Sequence, residues 1–441
     1  MKWLVAAVIL LLVGLIFRLG LLVYAMYVLL AVLVVSRYLA RQWIEHLSAE
    51  RACDRTKAQI SQQATVVVTL QNRGRLPIPW VLLEDSLSVE ALTQNPPRLR
   101  MEGARVQIVR LAAQGELALE YRVEFLTRGY YQLGPLLAET GDLFGLHRRY
   151  RVLGEPHFVT VYPRVVAVEG YDLASRRPLG EVRLTHRLFE DPTRISGVRQ
   201  YQSGDPLNRI HWRATARTGK FHSKTFDPSC VAGATLLLDF HRDTYHGNGA
   251  AYCSDLAVTT AASLANAVAE LGQQIGLISN GRDAVDRIRE EGWRHEFHTR
   301  AAAQGNVGLL QRSERLAPVV VETRAGAEQL EQIFETLARL ELTDGLTFAE
   351  LVLEAASRLP RDATVLALTA DVTEEAAIAL GGLRRSGFAV TVILIHHDEH
   401  GYYDWAEPPE WAGRLLVEGI EFRCVNDEVS LAAVCSEKLL R

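Results

Sequence analysis

The densest run of chemically capable side chains in this 441-residue sequence lies between Gly197 and Phe226, GVRQYQSGDPLNRIHWRATARTGKFHSKTF. From Arg194 to Lys224 it sets Arg194, Arg199, Arg209, Arg213, Arg217, Lys220 and Lys224 against Asp205 alone, while the whole chain has formal net charge -4. Guanidinium and ammonium groups at that density either recognise an acidic partner surface or anionic headgroups, or pair with acids inside the fold. Tyr201, Ile210 and Trp212 are interleaved with the bases, and large aromatic side chains are costly to expose. The stretch is therefore expected to act as a buried latch between two domains. Its interior predicts a turn that launches a short helix, with Gly204 ending an extended run, Asp205 as N-cap and Pro206 in the first helical position. Leu207 and Ile210 would then share one face.

A second cluster, His396-His397-Asp398-Glu399-His400, carries metal-ligand side chains, but its spacing is not specific: it follows a strand, sits in a loop and has no H-E-x-x-H helix pattern. A solvated polar loop is the expectation. The sequence contains no G-x-x-x-x-G-K-[ST], no G-x-G-x-x-G opening a helix and no G-x-S-x-G elbow, so nucleotide hydrolysis and serine-hydrolase chemistry lack their parts.

The elements that must position these residues fall into blocks of different period. Trp3 to Val35 is apolar apart from Arg18 and a few small or aromatic residues, too long for one crossing, and predicts a hairpin of two membrane helices turning at Arg18-Leu19-Gly20. The first apolar run ends in Phe17-Arg18 without a small-x-small site, which disfavours a cleaved signal peptide. Lys2, Arg37 and Arg41 lie on one side and Arg18 on the other, so both ends are expected to be cytoplasmic. From Ala52 to Pro163 the apolar residues alternate, as in Ala64 to Leu70 and Leu117 to Phe125, with turns at Asn72-Arg73-Gly74 and Arg128-Gly129. This predicts an antiparallel β-sandwich of immunoglobulin-like or fibronectin-like character. Val165 to Ile195 is a polar connector. From Gly233 onward strands and helices alternate: strands at 234–239, 274–279, 364–368, 389–395 and 420–424, and helices at 256–271, 327–340, 348–359, 373–385 and from Ser430. That order predicts a mostly parallel sheet covered on both faces. Five cysteines, Cys53, Cys230, Cys253, Cys424 and Cys435, are odd in number and lack C-x-x-C. They read as reduced thiols. A sequence pI near 6.4 gives no global attraction to nucleic acid, and none is expected as a partner.

The run R-x-Y-x-x-G-D-x-x-x-R-I-H-W-R-A-T-A-R-T-G-K is filled by Arg199, Tyr201, Gly204, Asp205, Arg209, Ile210, His211, Trp212, Arg213, Ala216, Arg217 and Gly219. It resembles the signature of the bacterial domain of unknown function 58 family. Two further pieces, Arg128-Gly-Tyr-Tyr-Gln-Leu-Gly-Pro135 and Gly141-Asp-Leu-Phe-Gly-Leu146, resemble the family's R-G-x-Y-x-L-G-P and D-P-F-G-L. Leu143 stands where the family usually has proline, and these pieces are expected to shape a turn and a sandwich edge.

The resemblance implies a multi-domain, membrane-anchored protein. Its parts would be two transmembrane helices over 1–36, a juxtamembrane helix or linker over 37–50 and an all-β sandwich over 51–165. A connector with the signature over 166–229 and an α/β von Willebrand factor A-like domain over 230–441 would follow. In such a domain a D-x-S-x-S after the first strand, a threonine and a second aspartate hold magnesium at the carboxyl ends of the strands. Here Asp239 stands in place, His241 and Asp243 replace the serines, Thr347 or Thr343 matches the threonine and Asp371 the second aspartate. Histidine is a poor ligand for magnesium, so weak or absent binding and no other cofactor are expected. The function expected is that of a non-catalytic scaffold in the inner membrane, in contact with the lipid bilayer, and the resemblance implies a MoxR-type AAA+ ATPase as its partner. A metal-dependent hydrolase using Asp239 and Asp371 is the alternative.

Overall fold

A computed structural model describes residues 2–87, 92, 97–142, 145, 147–168, 190–202, 210–228, 233–245, 249–286, 316–360, 363–396 and 410–434. The chain divides into two compact units. Met1–Arg164, Arg282–Arg315 and Phe334–Asp344 form the first, and Val165–Gly281, Leu316–Ile333 and Gly345–Arg441 the second. The stretch that reads in sequence as one domain over 230–441 thus lends two segments to the first unit.

In the first unit, helices α1 (Lys2–Ile16) and α2 (Gly20–Glu45) are joined by a reversal in which Arg18 takes a left-handed conformation, φ 59°. Of the two, α2 is long and apolar enough to cross a membrane by length and composition, and α1 is shorter. No proline or glycine interrupts Ser36 to Glu45, so α2 runs through the region assigned to a juxtamembrane piece and ends against the sandwich. Trp43 and Ile44 enter the sandwich core, and Nη1 of Arg151 lies 3.1 and 2.9 Å from the carbonyl oxygens of Ile44 and Glu45. A cation at that terminus meets the negative end of the helix dipole.

The sandwich follows from period-two alternation. On β3 (Gln63–Asn72), Ala64, Val66, Val68 and Leu70 turn inward. They pair across register with β7 (Glu116–Phe125), which contributes Tyr121, Val123 and Phe125. With β1 (Leu47–Cys53) and β5 (Leu99–Glu102) these form one sheet, in the order β1-β3-β7-β5. The second sheet runs β2-β10-β8-β4-β6, from β2 (Lys57–Gln59), β10 (His157–Tyr162), β8 (Gly129–Gly141), β4 (Ile78–Leu87) and β6 (Val106–Leu111). The thirteen-residue β8 is long enough to pair β10 along its first half and β9 (Arg148–Gly154) along its second. Both sheets close on one core that includes Val66, Leu70, Tyr121, Val81, Leu133 and Val159.

One polar tie crosses this core. The buried Arg51 guanidinium is ion-paired with buried Asp85, Tyr121 Oη donates to Asp85 Oδ2 at 2.6 Å, and Arg51 Nη1 donates to Leu133 O at 3.1 Å. Gly134, at φ 94°, leaves the space this guanidinium fills, because a Cβ there would collide with it. Burial, then the Asp85 charge, pushes the Tyr121 phenol far above its ordinary range. The segment 334–344 is held in the same unit by Lys57 to Glu335 at 2.7 Å and by Arg128 Nη1, which donates to Leu337 O and Leu340 O at 3.1 and 3.0 Å.

In the second unit the sheet order is β16-β14-β13-β18-β19-β20, from β16 (Val319–Arg324), β14 (Gln274–Ser279), β13 (Gly233–Leu238), β18 (Ala363–Thr369), β19 (Ala389–Ile395) and β20 (Glu421–Val425). All neighbours are parallel except β16, an antiparallel edge strand absent from the sequence reading. Every residue of β13 is buried, as expected of a central strand covered on both faces. Leu237 packs on the side of α6 (Phe348–Ala355) and α7 (Glu374–Arg385), in a core with Leu351, Leu380, Val365 and Val392. Leu236 and Leu238 point to the opposite face, where the 21-residue α4 (Ala250–Glu270) lies, burying Leu256, Ala257, Ala261, Leu264 and Val268.

Candidate functional site

The chain leaves β13 in one direction to β14 and later returns on its other side to β18, so the strand order reverses at β13. The carboxyl ends of β13 and β18 are where a doubly wound sheet opens a crevice. Asp239 follows β13 there, Asn280 follows β14, and Thr369 ends β18. Three polar residues on adjacent strand ends therefore meet.

Asp239 is buried and each of its oxygens faces two donors. Oδ1 accepts from His241 N at 3.1 Å and Asn280 Nδ2 at 3.0 Å, and Oδ2 from Thr244 Oγ1 at 2.9 Å and Thr369 Oγ1 at 2.8 Å. Its backbone is fixed as well, since Tyr245 Oη donates to Asp239 O at 2.7 Å and Asp239 N to Leu368 O at 2.8 Å. Asn280 closes the ring by accepting from Phe240 N at 2.6 Å and donating to Leu346 O at 2.9 Å. Burial raises the Asp239 carboxyl above its ordinary range, and the hydrogen bonds from Asn280, His241, Thr244 and Thr369 oppose that rise. Thr369 Oγ1 has one proton and two acceptors in reach, Asp371 O at 2.6 Å and Asp239 Oδ2 at 2.8 Å.

The other residues expected to ligate magnesium are engaged separately. Thr347 caps α6 in a capping box with Glu350, its Oγ1 2.9 Å from Glu350 Oε2. Those contacts hold the Glu350 carboxyl below the ordinary range. Asp243 is exposed, Asp371 is exposed and accepts from Val372 N at 2.8 Å, and Thr343 is buried in the first unit. His241 Nδ1 accepts from Asp243 N at 3.2 Å, capping a 3-10 turn. Among the described residues no three His, Cys, Asp or Glu side chains gather as a metal group. Magnesium needs several free oxygens in near-octahedral array, and this set, with both Asp239 oxygens taken by neutral donors of the chain itself, does not fit it. Sequence reasoning singled out Asp239 but missed Asn280, Thr244, Thr369 and Tyr245. The readable signal was a polar residue ending each of three buried strands.

The basic signature forms a separate β-α unit. Strand β11 (Glu190–Gln200) pairs antiparallel with β12 (His222–Pro228), and between them lies α3 (Trp212–Thr218). The helix begins at Trp212 with His211 as N-cap, its Nδ1 accepting from Ala214 N at 3.0 Å, and ends at Gly219 in the left-handed region, φ 69°. The expected start at Asp205 and Pro206 falls, with Gly204, Leu207 and Arg209, outside the described residues. Tyr201 and Phe221 meet edge to face at 6.1 Å, Ile210 is buried, and His222 N donates to Thr215 Oγ1 at 3.1 Å. Trp212, expected to be buried, is 66% exposed. Of the histidine cluster only His396 is described, and 397–400 lie outside. Among the described residues Cys53, Cys253 and Cys424 form no disulfide with one another, and Cys230 and Cys435 are outside the described residues.

Residues 197–304 match the family described as "Protein of unknown function DUF58", a span that starts in the β11 ribbon and takes in Asp239 and Asn280. The chain is also similar to "Uncharacterized protein YeaD" of Bacillus subtilis (strain 168), 23% identical over 279 residues. That match covers 62% of this chain and 66% of the relative, just under two thirds of the relative's length. Together these matches support the DUF58 family. Among solved structures, the CARDB domain of the PF1109 protein from Pyrococcus furiosus is 16% identical, with 26% of this chain and 86% of that domain covered and a TM-score of 0.17. The native conformation of E. coli alpha-2-macroglobulin is 16% identical, covering 27% of this chain and 7% of that one, with a TM-score of 0.19. Similarity at that level carries no argument about this chain.

Proposed function

We propose that the chain is a membrane-tethered, non-catalytic scaffold that presents its doubly wound domain, read as von Willebrand factor A-like, to a protein partner. The sandwich is read as immunoglobulin-like. The observation that carries the reading is the Asp239 network, in which the polar groups at the strand ends satisfy one another and rigidify the surrounding loops. Both N-terminal helices are placed in the inner membrane with the two units cytoplasmic, supported by the apolar length of α2 and by Lys2, Arg37 and Arg41 opposite Arg18. The family resemblance supplies the partner class, a MoxR-type AAA+ ATPase.

The test is affinity purification of the full chain from native membranes followed by mass spectrometry. A MoxR-type AAA+ ATPase is expected with the wild type and lost with Asp243→Lys, an exposed site beside the Asp239 network, at unchanged melting temperature. Its absence from the wild-type eluate, or phosphoesterase activity abolished by Asp371→Asn, overturns the scaffold.

A further inference from the structure

The β11-α3-β12 unit exposes Trp212, Arg213 and Arg217 on the helix, Lys220 and Phe221 in the turn after it, and Arg199 on β11. Positions 212, 213, 216 and 217 of α3 are all exposed, and on a helix they occupy one face about 140° wide. His211, Ala214 and Thr215 turn toward the ribbon. Trp212 is 66% and Phe221 55% exposed, so two large rings stand among the cations. The ribbon is a two-stranded sheet of its own, outside the six-stranded sheet of its unit, and such a ribbon is marginally stable without a supporting surface.

We propose that this face docks onto the bilayer surface at its anionic lipid headgroups. The chemistry has two parts that match. The exposed bases are Arg199, Arg213, Arg217 and Lys220, a positive set that complements a negative leaflet. Aromatic rings beside those bases suit the headgroup boundary, where a ring's apolar body is buried while flanking guanidinium groups stay with phosphates. A chain with net charge -4 has no general affinity for polyanions, so the attraction is local to this face. The proposal rests on the membrane tether of the preceding reading, which keeps headgroups at high effective concentration, and is independent of the scaffold's protein partner.

The experiment reconstitutes the full chain into vesicles of phosphatidylcholine, alone or mixed with phosphatidylglycerol, both carrying brominated acyl chains that quench tryptophan at short range. Comparison with Trp212→Phe isolates the Trp212 emission while keeping an aromatic ring. The expected result is quenching of the Trp212 share in the anionic vesicles and not in the neutral ones, reversed on raising the salt concentration. The pair Arg213→Glu with Arg217→Glu is expected to abolish that quenching at an unchanged melting temperature. The salt titration, made on the wild type, decides the matter even where that variant folds poorly. Trp212 emission unquenched in both vesicles, or quenched equally in both, overturns the proposal. Trp212 shielding found only in native membranes, and lost when peripheral proteins are stripped, overturns it in favour of an acidic protein. Failure of the tether itself reads differently, as no quenching of the remaining tryptophans in either vesicle.

Discussion

Asp239 is a buried carboxyl held by four donors, and its chemistry reduces to whether it carries a proton. Burial raises its pKa in the folded state, so the native protein binds that proton more tightly than the unfolded chain does. The stabilising contribution is complete below the ordinary carboxylate pKa and is lost as pH rises through the raised one. Asp239→Asn is expected to remove this dependence. Its amide can donate to Thr244 and Thr369, whose hydroxyls accept as readily as they donate, while its oxygen still faces Asn280 and His241 N. The melting temperature of the asparagine variant minus that of the wild type should therefore increase as pH rises, and a difference independent of pH refutes the reading. Asp239→Leu instead strands the Asn280 amide and the His241 N-H, at a cost of about 1 to 3 kcal/mol for each group left unsatisfied.

At the scale of elements, the two sheets of the sandwich are joined by apolar packing and by the tie of Arg51 on β1 to Asp85 on β4 and Tyr121 on β7. Removing one member of a buried pair leaves the other charge without compensation. Arg51→Ala is expected to destabilise the sandwich by about 3 to 5 kcal/mol. Replacing both ionised members, Arg51→Met with Asp85→Leu, should restore much of that loss, because desolvation of the pair offsets most of its attraction. Urea denaturation of the three proteins measures this. A double variant no more stable than Arg51→Ala shows that the tie has a role beyond compensating its own charges. The glycine in R-G-x-Y-x-L-G-P belongs to the same tie, since Gly134 makes room for the Arg51 guanidinium, a partner more than eighty residues away that no local pattern reveals.

At the scale of the whole molecule, the proposal that both units are cytoplasmic predicts that a reporter fused after Arg441 behaves as cytoplasmic, because Lys2, Arg37 and Arg41 outweigh Arg18. Alkaline phosphatase activity of that fusion reverses the topology. What the sequence determined by itself is what short-range periodicity encodes. Alternation over Ala64 to Leu70 and Leu117 to Phe125 specified sandwich strands, the short run Ala234-Thr-Leu-Leu-Leu238, apolar apart from Thr235, a central strand, and Thr347 with Glu350 and Thr373 ahead of two glutamates the starts of helices. These signals are legible because a residue's own neighbours produce them. Tertiary structure alone decided which polar groups meet. Asp239 and Thr369 are 130 residues apart, and only the adjacent placement of β13 and β18 brings their side chains within 2.8 Å. It also decided that Trp212 faces outward, because an amphipathic ring reads the same in sequence whether a domain or an open surface lies above it. The assignment of Arg282–Arg315 and Phe334–Asp344 to the first unit is likewise tertiary, since the pairing of β15 (Arg282–Asp283) with β17 (Leu340–Glu341) and the grip of Arg128 and Lys57 act between residues distant in the chain.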